Sequence, residues 1–248
     1  MKSKIVTVVL LFLVALGAQA KVSQQEADRL GKDLTKVGAE MVGNADGSIP
    51  AYTGGSKQGE PAKGKERTIE SFPEIFDSKP LYTITAANMA QYADKLTAGH
   101  QTLLKRFPDY KMNVYKTDRS SSYPDFYYEA TKKNALNAEL GGNGEALVNA
   151  ITGVPFPIPQ SALEVIWNHK VRYRGLSVSR YNTQLAVQAN GDFQPYKLRE
   201  DVRLHYSYPN QKPSDLNNVL IYFMQITTSP ARVSGNVLLV HETMDQIV

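Results

Sequence analysis

The sequence predicts an α+β fold, with helices first and long antiparallel strands after. Three observations carry this. Apolar residues recur at helical spacing, behind Ser and Thr caps, as far as residue 171. From Leu176 the period changes to two. Asn190-Gly191 then sits between two alternating runs, the strongest short-range signal for a hairpin. That order places helices on a face of an antiparallel sheet, not in the crossovers of a parallel one.

The first twenty residues read as a secretory signal peptide. Lys2 and Lys4 form a positive n-region, Ile5 to Gly17 is apolar and uncharged, and Ala18-Gln19-Ala20 is a small-x-small cleavage site. The apolar run is short for a bilayer core of roughly 30 Å. The mature protein is therefore expected in the periplasm. With no cysteine anywhere it cannot be a lipoprotein and carries no disulfide, so its core must suffice alone. The formal charge of +4 includes Lys2 and Lys4, so +2 remains after cleavage. Secretion and the absence of a dense Lys/Arg run exclude nucleic acid as a partner and leave a mild attraction to anionic headgroups.

Residues 21–70 form a first segment of short helix, turn and loop. Ser23-Gln24-Gln25-Glu26 is a capping box, followed by Ala27, Leu30, Leu34 and Val37 at helical spacing, with Gly31 and Gly38 limiting the helix. GNADGSIPAYTGG, 43–55, holds Asn44, Asp46 and Ser48 at alternate positions, as a calcium loop would. A twelve-residue calcium loop from Asn44 needs Gly sixth and Glu twelfth, but Ile49 and Gly55 stand there. The stretch is a turn, with Asp46-Gly47 supplying a positive φ. Residues 54–70 are Gly/Lys/Glu/Pro-rich and read as a flexible loop.

Residues 71–248 form one domain of helices followed by sheet. Thr85 caps a predicted helix to Lys95, and Thr97 another to Arg106 that Pro108 ends. KMNVY, 111–115, is a short strand, Ser122 caps a helix from Pro124 to about Leu136, and GGNG, 141–144, is a loop. The richest stretch is GVPFPIPQSALEVIWNHKVRYRG, 153–175. Pro155, Pro157 and Pro159 hold an extended ribbon with Phe156 and Ile158 on one side. Ser161 and Glu164 form a second capping box, with Leu163, Ile166, Trp167 and Val171 as the helix's buried stripe. The strands are LSVSRYNTQLAVQ from Leu176, the return run containing Val202, NVLIYFMQIT (218–227) with both faces largely buried, and GNVLLVHETMDQIV. The chain stops in strand-like sequence, which predicts an unpaired edge and a domain lacking its C-terminal part.

Catalytic machinery is not legible. Ser161 and His169 lie about 12 Å apart along a helix, and Glu164 and His169 about 140° apart around it, so neither pair can hydrogen-bond within it. The Gly-x-Ser-x-Gly elbow is absent, GGNGEA lacks the Lys-Ser/Thr of a P-loop, and His100, His169, His205 and His241 stand in no ligand spacing. No cofactor, metal or catalytic residue is expected.

LGKDLTKVGAEMVGNADGSIPAYTGG, KPLYTITAANMAQYADKLTAGHQTLLKRFP, GVPFPIPQSALEVIWNHKVRYRG and VLLVHETMDQ together resemble the bacterial envelope family called domain of unknown function 1329, grouped with the outer-membrane lipoprotein-sorting proteins LolA and LolB. The resemblance covers residues 21–248 and is to the family's N-terminal half. It implies a strongly curved antiparallel sheet, an incomplete half-barrel closed by helices over an apolar concavity. It also implies a periplasmic protein often encoded near exporters of the resistance-nodulation-division type, and such an exporter or an outer-membrane component is the partner expected. No catalytic residue is established in the family. The function expected is that of a carrier for a hydrophobic ligand, a lipid or acyl chain. Phe156 and Ile158 of the ribbon, Ile166 and Trp167 of the helix, and Tyr222 and Met224 of the strand are its candidate lining. His169 and Arg172, with Asn168 and Arg174, would meet a polar head or solvent. A ligand-free envelope adaptor is the alternative, and an envelope hydrolase a third.

Overall fold

A computed structural model describes residues 22–55, 79–216 and 221–242. The expected signal peptide, the loop from residue 56 onward, the start of the 218–227 strand and the last six residues lie outside them. The chain divides into two units, one of Met1–Glu40 with Tyr123–Val248 and one of Met41–Ser122.

The first unit begins with helix α1, Gln24–Ala27. Its capping box is complete: the Ser23 hydroxyl accepts from the Glu26 amide at 3.2 Å, and the Glu26 carboxylate accepts from the Ser23 amide at 2.9 Å. The helical spacing does not continue to Val37. Gly31 and Gly38 adopt φ of +83° and +95°, and the chain turns at both. Ala27 and Leu34 are buried nonetheless. A Cβ on Gly38 would lie 1.6 Å from the Pro157 carbonyl oxygen, so this segment seats on the proline ribbon only through a glycine.

Helix α3, Asp125–Asn137, enters from Pro124, not from a Ser122 cap, because the proline already holds extended backbone dihedrals there. Its buried face mixes Tyr127 and Ala135 with Thr131 and Asn134. The polar pair is spent on the chain that follows. Asn134 Nδ2 donates to the carbonyls of Ile151 (2.9 Å) and Val154 (3.2 Å), and its Oδ1 accepts from the Ile151 amide at 3.1 Å. Thr131 Oγ1 accepts from the Val154 amide at 3.0 Å and donates to the Tyr127 carbonyl at 2.8 Å. Between α3 and that turn, strands β3 (Glu139–Gly141) and β4 (Ala146–Val148) form a hairpin around the GGNG loop.

The proline ribbon, expected to be extended, instead bends at Pro155, Pro157 and Ile158, and Pro155, Phe156 and Pro157 are buried. Helix α4, Ala162–Lys170, starts at Ser161, whose hydroxyl accepts from the Glu164 amide. The Glu164 carboxylate, however, takes the Gln160 amide, so this box is only half formed. Asn168 ties helix to ribbon, accepting from the Phe156 amide at 2.9 Å and donating to its carbonyl at 2.7 Å. That pair fixes the helix's rotation. Trp167 and Val171 turn into a core with Phe156, Leu147, Ala150 and Tyr206. Ile166 precedes Asn168 by two positions, about 160° around the axis by the shorter way. It is 60% exposed, and Leu163 is exposed too. The expected four-residue stripe is therefore corrected to Trp167 and Val171.

A four-stranded antiparallel sheet follows in the order β5 (Ser177–Val187), β6 (Phe193–Arg203), β7 (Ile221–Ser229), β8 (Val237–Glu242). The β5–β6 turn is wider than a bare Asn-Gly hairpin. Gln188 and Asp192 still pair, and Gly191 takes the left-handed position of a three-residue loop at φ +89°. Strand β7 is half-buried along nearly its whole length, less enclosed than its apolar sequence predicts. The fold is mixed α/β with antiparallel sheets, and among the described residues none closes into a barrel.

In the second unit β1 (Tyr82–Ile84) pairs with β2 (Met112–Val114). The predicted helix from Thr85 is instead a 3-10 segment over Met89–Lys95, broken at Tyr92. Asn88 competes with it: its Oδ1 accepts from the Thr85 amide at 2.7 Å and its Nδ2 donates to the Thr83 carbonyl at 2.9 Å. Helix α2, Ala98–Arg106, has the expected Thr97 cap. Ile84, Leu96 and Leu104 form this unit's core, with Tyr82 stacked on Tyr92 at 4.9 Å.

Asn134→Ala removes three hydrogen bonds to half-buried backbone and should destabilise the protein by about 2–4 kcal/mol in urea unfolding. Burial raises the Tyr206 and Tyr127 phenols well above the ordinary tyrosine range. A raised folded-state pKa gives stability that is complete below the unfolded value of about 10 and is lost as pH climbs toward the folded one. Stability should thus fall above pH ~10, by up to ~1.4 kcal/mol per pH unit for each tyrosine. Tyr206→Phe should flatten that slope in pH-resolved denaturation curves.

Candidate functional site

Alternation along the strands sorts the sheet into two faces. The register places Arg203, Asp201 and Arg199 of β6 opposite Tyr222, Met224 and Ile226 of β7, and those opposite His241, Leu239 and Val237 of β8. Ser177, Ser179 and Tyr181 of β5 complete this first face. Val202, Glu200 and Leu198 share the second face with Ile221, Phe223 and Gln225. Helix α4 meets the second face at one end, where Ile221 packs on the Trp167 core and Lys170 pairs with Glu242 at 2.9 Å.

The first face carries a shallow groove of about 370 Å³. Tyr222, Met224 and Leu239 supply its apolar part, and Arg199, Arg203, Asp201, Ser177 and Ser179 its polar part. Arg199 pairs with Asp201 at 3.0 Å, and Ser179 donates to the same carboxylate, whose pKa is lowered by those bonds, the Ser179 bond most. Arg203 lies 4.8 Å over the Tyr208 ring. Tyr222 meets the His241 ring edge-on at 4.7 Å. His205 stands 6.2 Å from Tyr222, and its Nδ1 is buried without a hydrogen-bond partner. On the second face a groove of about 380 Å³ is more polar, lined by Gln184, Tyr196, Leu198, Gln225 and Thr227. Beside it Glu200 is buried between Arg180 and Asn182.

These placements separate the candidate lining residues. Phe156 and Trp167 lie in the filled core, with Trp167 Nε1 donating to the Gly144 carbonyl at 2.8 Å. Ile158 is half-buried on the ribbon and Ile166 is exposed. His169 is exposed, its Nε2 3.1 Å from Arg172 Nη1, which also donates to the His169 carbonyl. Tyr222 and Met224 alone share a groove, on the face away from the Trp167 core. Strand parity is the reason. Ile221, one residue earlier, is the side chain that reaches the core.

Sequence reasoning missed Arg199, Arg203 and Leu239. Alternation along the return run sets Arg203 and Arg199 on the face opposite Val202; their pairing with Tyr222 and Ile226 needed the register. The Ser161, Glu164 and His169 set does not assemble, each being engaged elsewhere.

The 43–55 turn is held by its own side chains. Asn44 Oδ1 accepts from the Ile49 amide and Asp46 Oδ1 from the Ser48 amide and hydroxyl. Arg119 then donates to the carbonyls of Met41, Val42 and Pro50, a long-range clamp with no sequence signature. Among the described residues no group of three His, Asp or Glu side chains is placed to hold a metal.

A family model described as "Protein of unknown function (DUF1329)" matches residues 83–248. The chain belongs to the DUF1329 family. It is 46% identical over 241 residues to the uncharacterized protein PA3922 of Pseudomonas aeruginosa, covering 97% of this chain and 52% of that one. The chain thus spans about half the length of this relative. No solved structure matches it.

Asn44→Ala should lower stability by about 1 kcal/mol through the lost turn bonds, and elemental analysis should give the same calcium content as for the unaltered protein.

Proposed function

We propose that this DUF1329 protein is a periplasmic carrier for a hydrophobic ligand with an anionic or polar head, a lipid or acyl chain. The observation that carries this reading is the mixed groove of the first sheet face. Met224, Leu239 and Tyr222 offer an apolar track, and Arg199 and Arg203 stand at its side. Its volume of about 370 Å³ falls within the range of small-molecule sites. The signal-like segment over 1–20 supports the periplasm. We further read the open sheet as part of a LolA/LolB-like half-barrel, the N-terminal half of a longer architecture. The exposed apolar side chains of β8 and the relative's twofold length support that. A resistance-nodulation-division exporter or an outer-membrane component is the partner we assign to it.

One observation favours a second reading, a ligand-free envelope adaptor. The Phe156–Trp167 core, the expected cavity wall, is filled by Leu147, Ala150, Val171 and Tyr206.

Native mass spectrometry of protein purified gently from periplasm separates the two. The carrier should show the mass of residues 21–248 plus an extractable lipid, and Met224→Asp should reduce retained lipid at least about tenfold, the effect of an uncompensated charge in an apolar track. A bare mature mass with no uptake of added fatty acids or phospholipids would support the adaptor.

A further inference from the structure

Strands β5 and β6 outrun the rest of the sheet. Their pairing extends from Ser177–Arg203 to Val187–Phe193, whereas β7 pairs with β6 only from Arg203 to Lys197. The residues beyond form a two-stranded arm. On the first sheet face the arm presents Leu185 opposite Pro195 and Val187 opposite Phe193, and Leu185, Val187 and Phe193 are 54%, 76% and 59% exposed. Its other face is Gln184, Ala186, Gln194 and Tyr196. Immediately behind the apolar rows, on the same face, come Lys197 opposite Thr183 and Arg199 opposite Tyr181, which is 73% exposed. Along β6 that face carries Lys197, Arg199 and Arg203 against one carboxylate, Asp201.

We infer that this arm docks the protein on an anionic lipid bilayer, its apolar rows in the interface and Tyr181, Lys197 and Arg199 at headgroup level. Aliphatic and Phe side chains gain by leaving water, Tyr favours the interfacial zone, and Lys and Arg reach up to phosphates while burying their stems. Asp192 lies in the turn at the arm's end, where its carboxylate accepts from Asn190 Nδ2. An end-on insertion would bury that charge, so the arm lies along the surface with its apolar face down. The charge sign selects the lipid. A second copy of this chain is a poorer occupant, since the apolar rows amount to a few hundred Å², below the ~800 Å² per partner of a stable dimer. The docking does not require the groove to hold cargo.

The test is sedimentation of the ligand-free protein with vesicles of phosphatidylcholine alone and of an equimolar mixture with phosphatidylglycerol. The mixture should bind at least about tenfold better, since each net cation contributes roughly fivefold, and added salt should erase the difference. Val187→Asp with Phe193→Asp should abolish binding to the mixture, and Lys197→Glu should weaken it about tenfold or more, both with unchanged circular dichroism because these side chains are exposed. Equal binding to both vesicle types, or undiminished binding by the aspartate variant, would overturn the inference. So would a dimer in light scattering that the aspartate variant dissolves, which would assign the face to a second copy. Loss of retained lipid by the groove variant with vesicle binding intact would leave docking standing, and the converse would leave the carrier reading standing.

Discussion

The polar pair on the buried face of α3 is the constraint on which the first unit depends. Asn134 and Thr131 accept from the amides of Ile151 and Val154, and Asn134 Nδ2 donates to both their carbonyls, leaving the 151–154 turn no freedom to leave the helix. The turn needs this external support. Asn149 and Thr152 adopt φ of +57° and +60°, a region that costs a β-branched residue free energy. A Cβ on Gly153 would lie 2.3 Å from the Thr131 amide nitrogen, so helix and turn touch backbone to backbone. From here the support is relayed. Tyr206 donates to the Gly153 carbonyl and Thr152 to the Tyr208 carbonyl, both at 2.8 Å, which anchors the chain leaving β6. The proline ribbon starts from the same turn and carries Phe156 to Asn168 and thereby Trp167 into the core. Helix, ribbon and sheet end are connected through buried polar groups in which each bond satisfies a backbone atom that burial would otherwise penalise.

That anchoring also decides which sheet face is free. Tyr206 and Ile221 both contact the Trp167 core, and Lys170 reaches Glu242, so α4 holds the second face at the β7–β8 end. The opposite face receives Tyr222, Met224 and Leu239 by alternation. A residue on β7 therefore belongs either to the core or to the groove, and its parity settles which. The polar rows of the first face follow the same rule along β6, where Arg199, Asp201 and Arg203 interleave with the buried Leu198 and Glu200.

Local signals were legible in the sequence, and long-range ones were not. The caps at Ser23, Thr97 and Ser161, the change of period at Leu176 and the hairpin at Gly191 are each written within a few residues, and each is found where it was read. What failed depended on side-chain to backbone bonds, near and far. Asn88 unwinds a predicted helix by accepting from the Thr85 amide and reaching the Thr83 carbonyl, a few residues away. Asn168 sets the rotation of α4, so an apolar Ile166 faces outward. Arg119 clamps a turn some seventy residues away. In the candidate lining, Phe156 and Trp167 are in the core because a bulky apolar residue beside a proline ribbon is as well suited to filling space as to bounding it. Tyr222 and Met224 share a groove, but with arginines that only the strand register brings beside them.

The distribution of order across the first unit bears on how a carrier of this form would exchange its cargo. The interior around Trp167 is closed by its own side chains, and a protein interior at that packing density does not open without losing many contacts at once. The groove of the first face needs no such opening. It is bounded by β7 and by β8, whose Val237, Leu238, Leu239 and Val240 are all exposed. A strand of that kind is stable at a sheet edge only while its apolar side chains stay wet or find a partner. On the proposed reading the ligand is such a partner, and it leaves by the path it entered, along a face whose neighbours stay in place. Capture and release then differ by the apolar area of the ligand itself and by its contacts with Arg199 and Arg203. A bilayer against the same face competes for both terms, because it offers the acyl chain an apolar medium and the arginines other anions. On the proposed reading, an arm and a groove on one face would make membrane contact itself sufficient to weaken cargo binding, with no lid and no change in the core.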